Sequence, residues 1–183
     1  MKCTSGRYTS GQLLVDVRAV EDWITRLYDT HGQITDETLK KDMSRRLLDV
    51  SQGRNDCLFD DMDYPSIMVR LPETRLSELE PSWGNNIHPA FIVNGQVVKL
   101  WIAKYQAMTV GSGASLRALS LRGKEPRASI NFDTSREACA NKGGGFHLVT
   151  NAEWGFILNW CRANGFWPRG NNSRGRDYSR TSE

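Results

Sequence analysis

The sequence has no long apolar run, few cysteines and little net charge. Across its 183 residues, no apolar stretch approaches the roughly 20 residues that a membrane-spanning helix needs, so we expect no membrane span. The four cysteines, at positions 3, 57, 139 and 161, are too far apart for a CxxC motif or a dense disulfide framework. The formal net charge of +3 is too small to predict nucleic-acid binding.

Recognisable catalytic and metal-binding motifs are also missing. The chain has three histidines, His31, His88 and His147. They lack the spacing of metal ligands, and the acidic cluster from Asp56 to Asp63 lacks the spacing of a calcium loop. A nucleophilic pair of His147 with Cys139 or Cys161 stays open, although both cysteines occupy apolar helical positions. We therefore predict no catalytic residues, no metal and no cofactor.

The first part of the sequence predicts two amphipathic helices. Apolar residues recur every three or four positions at Leu13, Val17, Val20, Ile24 and Leu27, and again at Leu39, Met43, Leu47 and Val50. Gly32 ends the first helix, and Thr35 is predicted to cap the second. We interpret residues 1–62 as a helical attachment or oligomerisation segment. Burial of the two stripes within the chain and burial against another chain both stay open.

The middle of the sequence predicts short strands between longer connections. Residues 54–90 are interpreted as a solvated linker that contains one strand at 66–71. Asn94-Gly95 lies between apolar β-formers and therefore predicts a hairpin, with a further strand reaching residue 105. Residues 109–128, rich in Gly, Ser and Arg, are interpreted as a solvated loop.

Two capping boxes predict two helices in the second half. Thr134 with Glu137 predicts the start of a short helix, and Thr150 with Glu153 predicts the start of another. The predicted apolar face of this last helix consists of Trp154, Ile157, Leu158 and Cys161. Between the two helices, residues 146–149 are predicted to form a short strand.

The stretch from residue 166 to residue 178 has the composition of a recognition loop. Aromatic side chains offer rigid contact area, while Asn, Ser and Arg offer adaptable hydrogen bonds. The candidate ligand-binding residues are Trp167, Arg169, Asn171, Asn172, Arg174, Arg176 and Tyr178. An irregular loop that covers the edge of a core would have the same composition, so both interpretations stay open.

The order of motifs across residues 64–178 resembles a known fold. A strand ends in Lys104-Tyr105, a helix follows, and a Gly-x-x-Leu-x-Thr-x-x-Glu-Trp segment at 145–154 precedes Gly170-Asn171. This order resembles the formylglycine-generating-enzyme-like (sulfatase-modifying-factor-like) branch of the C-type-lectin fold. The sequence at 65–70, 88–91 and 104–107 is most similar to the versions found in phage structural and host-recognition proteins.

The resemblance implies an α+β fold with two parts. A helical hairpin at 1–62 would precede a C-type-lectin-like domain at 63–183, in which short helices pack on a twisted antiparallel sheet. Trp154 would fix the last helix to that sheet. Two family features are missing, namely the close cysteine pair with which the enzyme branch binds copper and the closing strands of the sheet. We therefore expect a lectin-like domain that lacks its C-terminal part, or a partner that completes it.

The resemblance also implies a function. We expect a bacteriophage virion-associated protein, in a tail fibre, tail tip or capsid decoration, that recognises the host surface non-covalently and is not an enzyme. It would be assembled into virions in the host cytoplasm. Expected partners are other virion proteins, sister chains bound through the N-terminal helices, and a host-surface ligand. The alternatives are a formylglycine-generating-type metal-dependent oxidase and a purely structural virion protein.

Overall fold

The computed structural model describes residues 10–167, with side chains from residue 15 onward. Over this range the protein is α+β, as the sequence predicted, with five α-helices and three small antiparallel sheets. These residues group into two compact units. The larger unit contains residues up to 71 and residues 101–148, and the smaller unit contains residues 72–100 and those from 149 onward. The division at residue 62 and the lectin-like architecture stay predictions.

The helices and strands are short after the first fifty residues. The helices are α1 (Ser10–His31), α2 (Glu37–Ser51), α3 (Leu76–Leu79), α4 (Phe132–Ala140) and α5 (Asn151–Ala163). The strands are β1 (Asn55–Phe59), β2 (Pro65–Arg70), β3 (Ile92–Val93), β4 (Gln96–Val97), β5 (Trp101–Ala103), β6 (Met108–Val110) and β7 (Arg117–Leu119). In the described residues, no helix is long and apolar enough to cross a membrane.

The predicted helical hairpin is confirmed, with one correction at the start of its second helix. Asp36, and not Thr35, caps α2, because the Asp36 carboxylate accepts hydrogen bonds from the backbone N–H groups of Thr38 at 2.8 Å and Leu39 at 3.2 Å. A carboxylate is favoured at this position because it faces the positive end of the helix dipole.

From Val17 onward, the apolar stripes of α1 and α2 pack within the chain. The buried cluster of the larger unit consists of Val17, Ile24, Ile34, Met43, Leu47, Cys57, Ile67, Leu119 and Leu121. It joins both helices to the three-stranded sheet, whose order is β1-β2-β5. In that sheet Cys57 stands opposite Ile67, and Val69 stands opposite Ile102.

Two segments interpreted as solvated connections are in fact structured. β1 lies inside the predicted linker at 54–90, and most of the β6–β7 pair lies inside the predicted loop at 109–128. The charges that suggested solvation are paired across the fold, since Arg117 contacts Asp61 and Lys124 contacts Asp29. Both interpretations were therefore wrong for these strands, where long-range ion pairs neutralise side chains that look solvated in sequence, whereas residues 125–128 are exposed and outside any strand, as predicted.

The start of α4 and the stretch after it also differ from the prediction. Asn131 caps α4 by accepting a hydrogen bond from the backbone N–H of Thr134 at 2.8 Å, so the helix begins before the predicted Thr134 cap. Residues 146–149 form no strand. Three consecutive glycines with positive φ, at 143–145, turn the chain just before them and interrupt an extended run.

The smaller unit confirms the predicted hairpin and the Thr150 capping box. Asn94 and Gly95 both have positive φ between β3 and β4, as a tight hairpin turn requires. At the start of α5, the backbone N–H of Thr150 donates to the Glu153 carboxylate at 2.7 Å. The unit's core is small and centres on an edge-to-face contact between Phe91 and Phe156, with ring centroids 4.8 Å apart.

Candidate functional site

A fully buried carboxylate, Glu21, lies at the centre of a polar network in the larger unit. Its Oε1 accepts from Lys104 Nζ at 2.6 Å, and its Oε2 accepts from the Tyr105 hydroxyl at 2.6 Å. The Asn55 amide adjoins this pair, and in the orientation that satisfies its neighbours its oxygen accepts from Lys104 Nζ at 2.7 Å. The Lys104-Tyr105 pair noted in the sequence therefore converges on a residue of α1.

The chemistry of this network points to a structural role. Burial, together with the hydrogen bond to Glu21, raises the pKa of Tyr105, so the phenol keeps its proton and acts as a hydrogen-bond donor to Glu21. Both Glu21 oxygens are engaged by these donors. The network therefore connects α1 to the residues that follow β5, and satisfies a charge that would otherwise be costly to bury.

A second buried cluster surrounds Lys142, directly after α4. The side chain is 2% exposed, and its Nζ donates to Ser66 Oγ at 2.7 Å and to the Ala118 carbonyl at 2.8 Å. Nζ also lies 4.3 Å from the centroid of the Phe146 ring. Burial lowers the pKa of Lys142 to about 8, while the nearby Asp60 carboxylate opposes this shift.

The Ser66–Lys142 pair has the spacing of a serine activated by a lysine, but the site is closed. Both residues are 2% exposed, and a substrate carbonyl needs access to the nucleophile. Asp60 is engaged as well, because its Oδ1 accepts from the backbone N–H groups of Met62 and Tyr64 at 3.0 Å each. We therefore assign this cluster to holding the chain after α4 against β2 and β7.

Among the described residues, the cysteine and histidine candidates do not form a recognisable active site. Burial raises the pKa of the Cys139 thiol, which weakens it as a nucleophile. His147 is exposed, and its Nδ1 lies 2.7 Å from the Gly145 carbonyl oxygen. Within residues 10–167, no group of three or more His, Cys, Asp and Glu side chains is placed to hold a metal ion.

An exposed apolar surface is the most unusual feature of the smaller unit. Its described residues include large apolar side chains that are between 37% and 65% exposed. They are Trp83, Ile92, Val93, Val97, Val149, Trp154, Leu158, Trp160, Phe166 and Trp167. Large exposed apolar side chains mark a binding surface where they lie together in one patch.

The helix α5 buries a different face from the predicted one. Its buried residues are Glu153 and Phe156, while Trp154 is 55% exposed and Leu158 is 37% exposed. The prediction that Trp154 fixes the helix to a sheet is therefore wrong. α5 carries more apolar residues than one face can hold, and the ring of Phe156 takes the inner position against Phe91.

The predicted ligand-binding residues are only partly covered by the structure. Trp167 is 65% exposed, as a contact residue should be. The other candidates, Arg169, Asn171, Asn172, Arg174, Arg176 and Tyr178, lie outside the described residues. The sequence analysis missed the exposed side of α5, although a helix with so few charged residues was an available signal.

No protein-family model matches this sequence, and no curated protein matches it. The resemblance to the formylglycine-generating-enzyme-like branch therefore stays a prediction from the residues.

Replacing Glu21 should destabilise the fold strongly. We expect Glu21→Ala to lower the free energy of unfolding by about 3 kcal/mol, because it leaves Lys104 and the Tyr105 hydroxyl without their buried acceptor. Urea denaturation followed by circular dichroism measures this. Arg45→Ala removes an exposed ion pair with Asp42 on α2 and should change the value by less than about 0.5 kcal/mol. Equal losses for the two variants would contradict the role assigned to Glu21.

The Lys142 cluster predicts a pH dependence of stability. Because burial lowers the pKa of Lys142 from 10.5 to about 8, the folded protein gives up this proton at a lower pH than the unfolded chain. The free energy of unfolding of the wild type, relative to Lys142→Met, should therefore rise by about 1 kcal/mol between pH 7 and pH 9.

Urea denaturation of both proteins at the two pH values provides this comparison. Tyr105, whose pKa is raised by burial and the hydrogen bond to Glu21, is present in both proteins and cancels in the difference. A difference that stays constant or falls with pH would show that Lys142 is not held in a site that disfavours its charge.

Proposed function

We propose that this protein is a virion-associated component of a bacteriophage, in a tail fibre, tail tip or capsid decoration. In this proposal it acts by binding through its smaller unit and not by catalysis. The phage assignment is supported by the sequence resemblance at 65–70, 88–91 and 104–107. The binding role is supported by the exposed apolar side chains of the smaller unit.

The observation that carries the binding role is the exposure of four tryptophans. In the smaller unit, Trp83, Trp154, Trp160 and Trp167 are 42%, 55%, 39% and 65% exposed. The larger unit contains two tryptophans, which are half-buried. Tryptophan is among the residue types most enriched at the energetic centres of protein interfaces, and its exposure to water is unfavourable unless a partner covers it.

The composition of this surface favours a partner with few charges. The β3–β4 hairpin, residues 92–97, contains no charged residue, and α5 contains two, Glu153 and Arg162. Of these, Glu153 is 8% exposed and is used to cap its own helix. A strongly charged polymer such as nucleic acid is therefore a poor match for this surface.

The host-surface role has one competitor that a specific observation favours. The hairpin exposes three aliphatic side chains, Ile92, Val93 and Val97, at 43%, 52% and 53%. Aliphatic surface of this kind is more typical of permanent interfaces than of transient recognition. A purely structural virion protein, whose smaller unit packs against a neighbouring subunit, is therefore the second candidate.

Phage particles that carry Trp83→Ala, at a 42% exposed site in the smaller unit, test the proposal. We expect incorporation at normal copy number and an adsorption rate to host cells that falls about tenfold or more, as for a residue central to an interface. Phe132→Ala, which removes a 68% exposed ring from the larger unit, should adsorb normally. Loss of incorporation for Trp83→Ala would favour the structural candidate. Normal incorporation with normal adsorption would contradict both.

A further inference from the structure

An apolar ridge runs along the exposed side of α5. Trp154, Leu158 and Cys161 are spaced by four and three residues and therefore lie above one another on one side of the helix. The residues that α5 buries, Glu153 and Phe156, lie on a different side. The helix thus has one apolar side that packs in the unit's core and a second that faces solvent.

The turn at the end of α5 extends this ridge. Gly165, with φ of 75°, donates its N–H to the Arg162 carbonyl at 3.0 Å, and Phe166 donates its N–H to the Cys161 carbonyl at 2.9 Å. This bonding pattern is a common helix end. In it, the residue after the glycine packs against the side chain of the third residue from the end of the helix. Phe166, 61% exposed, therefore continues the ridge next to Cys161.

We propose that the α5 ridge, defined as Trp154, Leu158, Cys161 and Phe166, binds the same ridge of a second copy of this chain. The two helices run antiparallel, with Leu158 of each copy at the two-fold axis. The inference rests on the proposed binding role of the smaller unit and names the partner for this part of its surface.

The register with Leu158 on the axis is chemically self-complementary. Trp154 then meets Arg162 of the second copy, which is a favourable cation–π pair. Cys161 meets Gly155, beside which a Cβ would find open space, so the two backbones can approach closely. Trp167 meets Val149 of the second copy, and both side chains are exposed in the single chain, at 65% and 46%.

The charges of α5 permit this pairing. Arg162 is the exposed charged residue of the helix, whereas Glu153 is buried. In the antiparallel pair the two Arg162 residues lie four positions to either side of the axis, and therefore about 12 Å apart along it. The repulsion between the two guanidinium groups is small at this distance in water. Each guanidinium also lies against the ring face of Trp154 of the other copy.

The area available is that of a weak dimer. Trp154, Phe166 and Trp167 are each more than half exposed, and at about 200 Å² for each full side chain they offer roughly 350–400 Å² per copy. With Leu158 and Val149 added, complete coverage of the ridge and of the flanking Trp167 and Val149 would bury at most roughly 1,000 Å² over both copies, the lower limit for a specific interface. The dimer should therefore form with increasing concentration and dissociate on dilution.

Sedimentation equilibrium of the full chain tests the inference. The average mass of the wild type should rise from 20.7 kDa toward twice that value with loading concentration. Leu158→Lys places two like charges at the axis and should weaken the dimer by at least about tenfold. Met62→Lys, at a 47% exposed site in the larger unit, should behave as the wild type. A wild type without concentration dependence, or a Leu158→Lys variant that dimerises equally well, would overturn the inference.

Cross-linking tests the register independently. Under mild oxidation, Leu158→Cys should form a disulfide with position 158 of the second copy, and peptide mapping should locate the bond there. Dimerisation without this cross-link would overturn the proposed axis. The two proposals fail separately, because Trp83 lies outside the α5 ridge: normal adsorption of Trp83→Ala particles leaves the sedimentation result standing, and a monomeric wild type leaves the adsorption result standing.

Discussion

The larger unit depends on the burial of one carboxylate. Glu21 has no exposed surface, and an unpaired charge at such a position would cost several kcal/mol. It can be buried because Lys104 and Tyr105, which directly follow β5, donate hydrogen bonds to its two oxygens. The position of α1 is thereby tied to the end of β5.

This constraint extends through neighbouring hydrogen bonds. The backbone N–H of Tyr105 donates to Ser120 Oγ at 2.9 Å, and Ser120 Oγ in turn donates to the Ile67 carbonyl at 2.9 Å. The residues after β5, those after β7, and β2 are therefore held in one register by side chains that each have a partner. The larger unit pairs Glu21 and Lys142 internally, although Asp60 Oδ2 has no hydrogen-bond partner among the described residues. The smaller unit instead leaves large apolar groups in water.

Short sequence patterns correctly predicted the parts of the fold that depend on interactions between neighbouring residues. The apolar periodicity of α1 and α2, the Asn94-Gly95 turn and the Thr150 capping box depend on neighbouring residues, and each was confirmed. The cap of α4 was misplaced because two competing caps, Asn131 and Thr134, lie three residues apart. Sequence alone does not say which of them the chain uses.

The remaining features depend on residues far apart in the sequence. Glu21 is 83 positions from Lys104, and Arg117 is 56 positions from Asp61. No local sequence pattern therefore predicts either ion pair. The exposed side of α5 was missed for a related reason. The helix has apolar residues on two sides, and the choice of the buried side depends on Phe91, which precedes α5 by 60 positions.

The central claim is that a partner covers the apolar surface of the smaller unit when the protein is assembled. Oxidative footprinting of the tryptophans, in the free dilute chain and in the intact particle that carries it, tests this most directly. The account predicts that Trp154, Trp160 and Trp83 are oxidised readily in the free chain and protected in the particle. Trp23 and Trp101, half-buried in the larger unit, should change little. Equal oxidation of the smaller unit's tryptophans in both states would contradict the account.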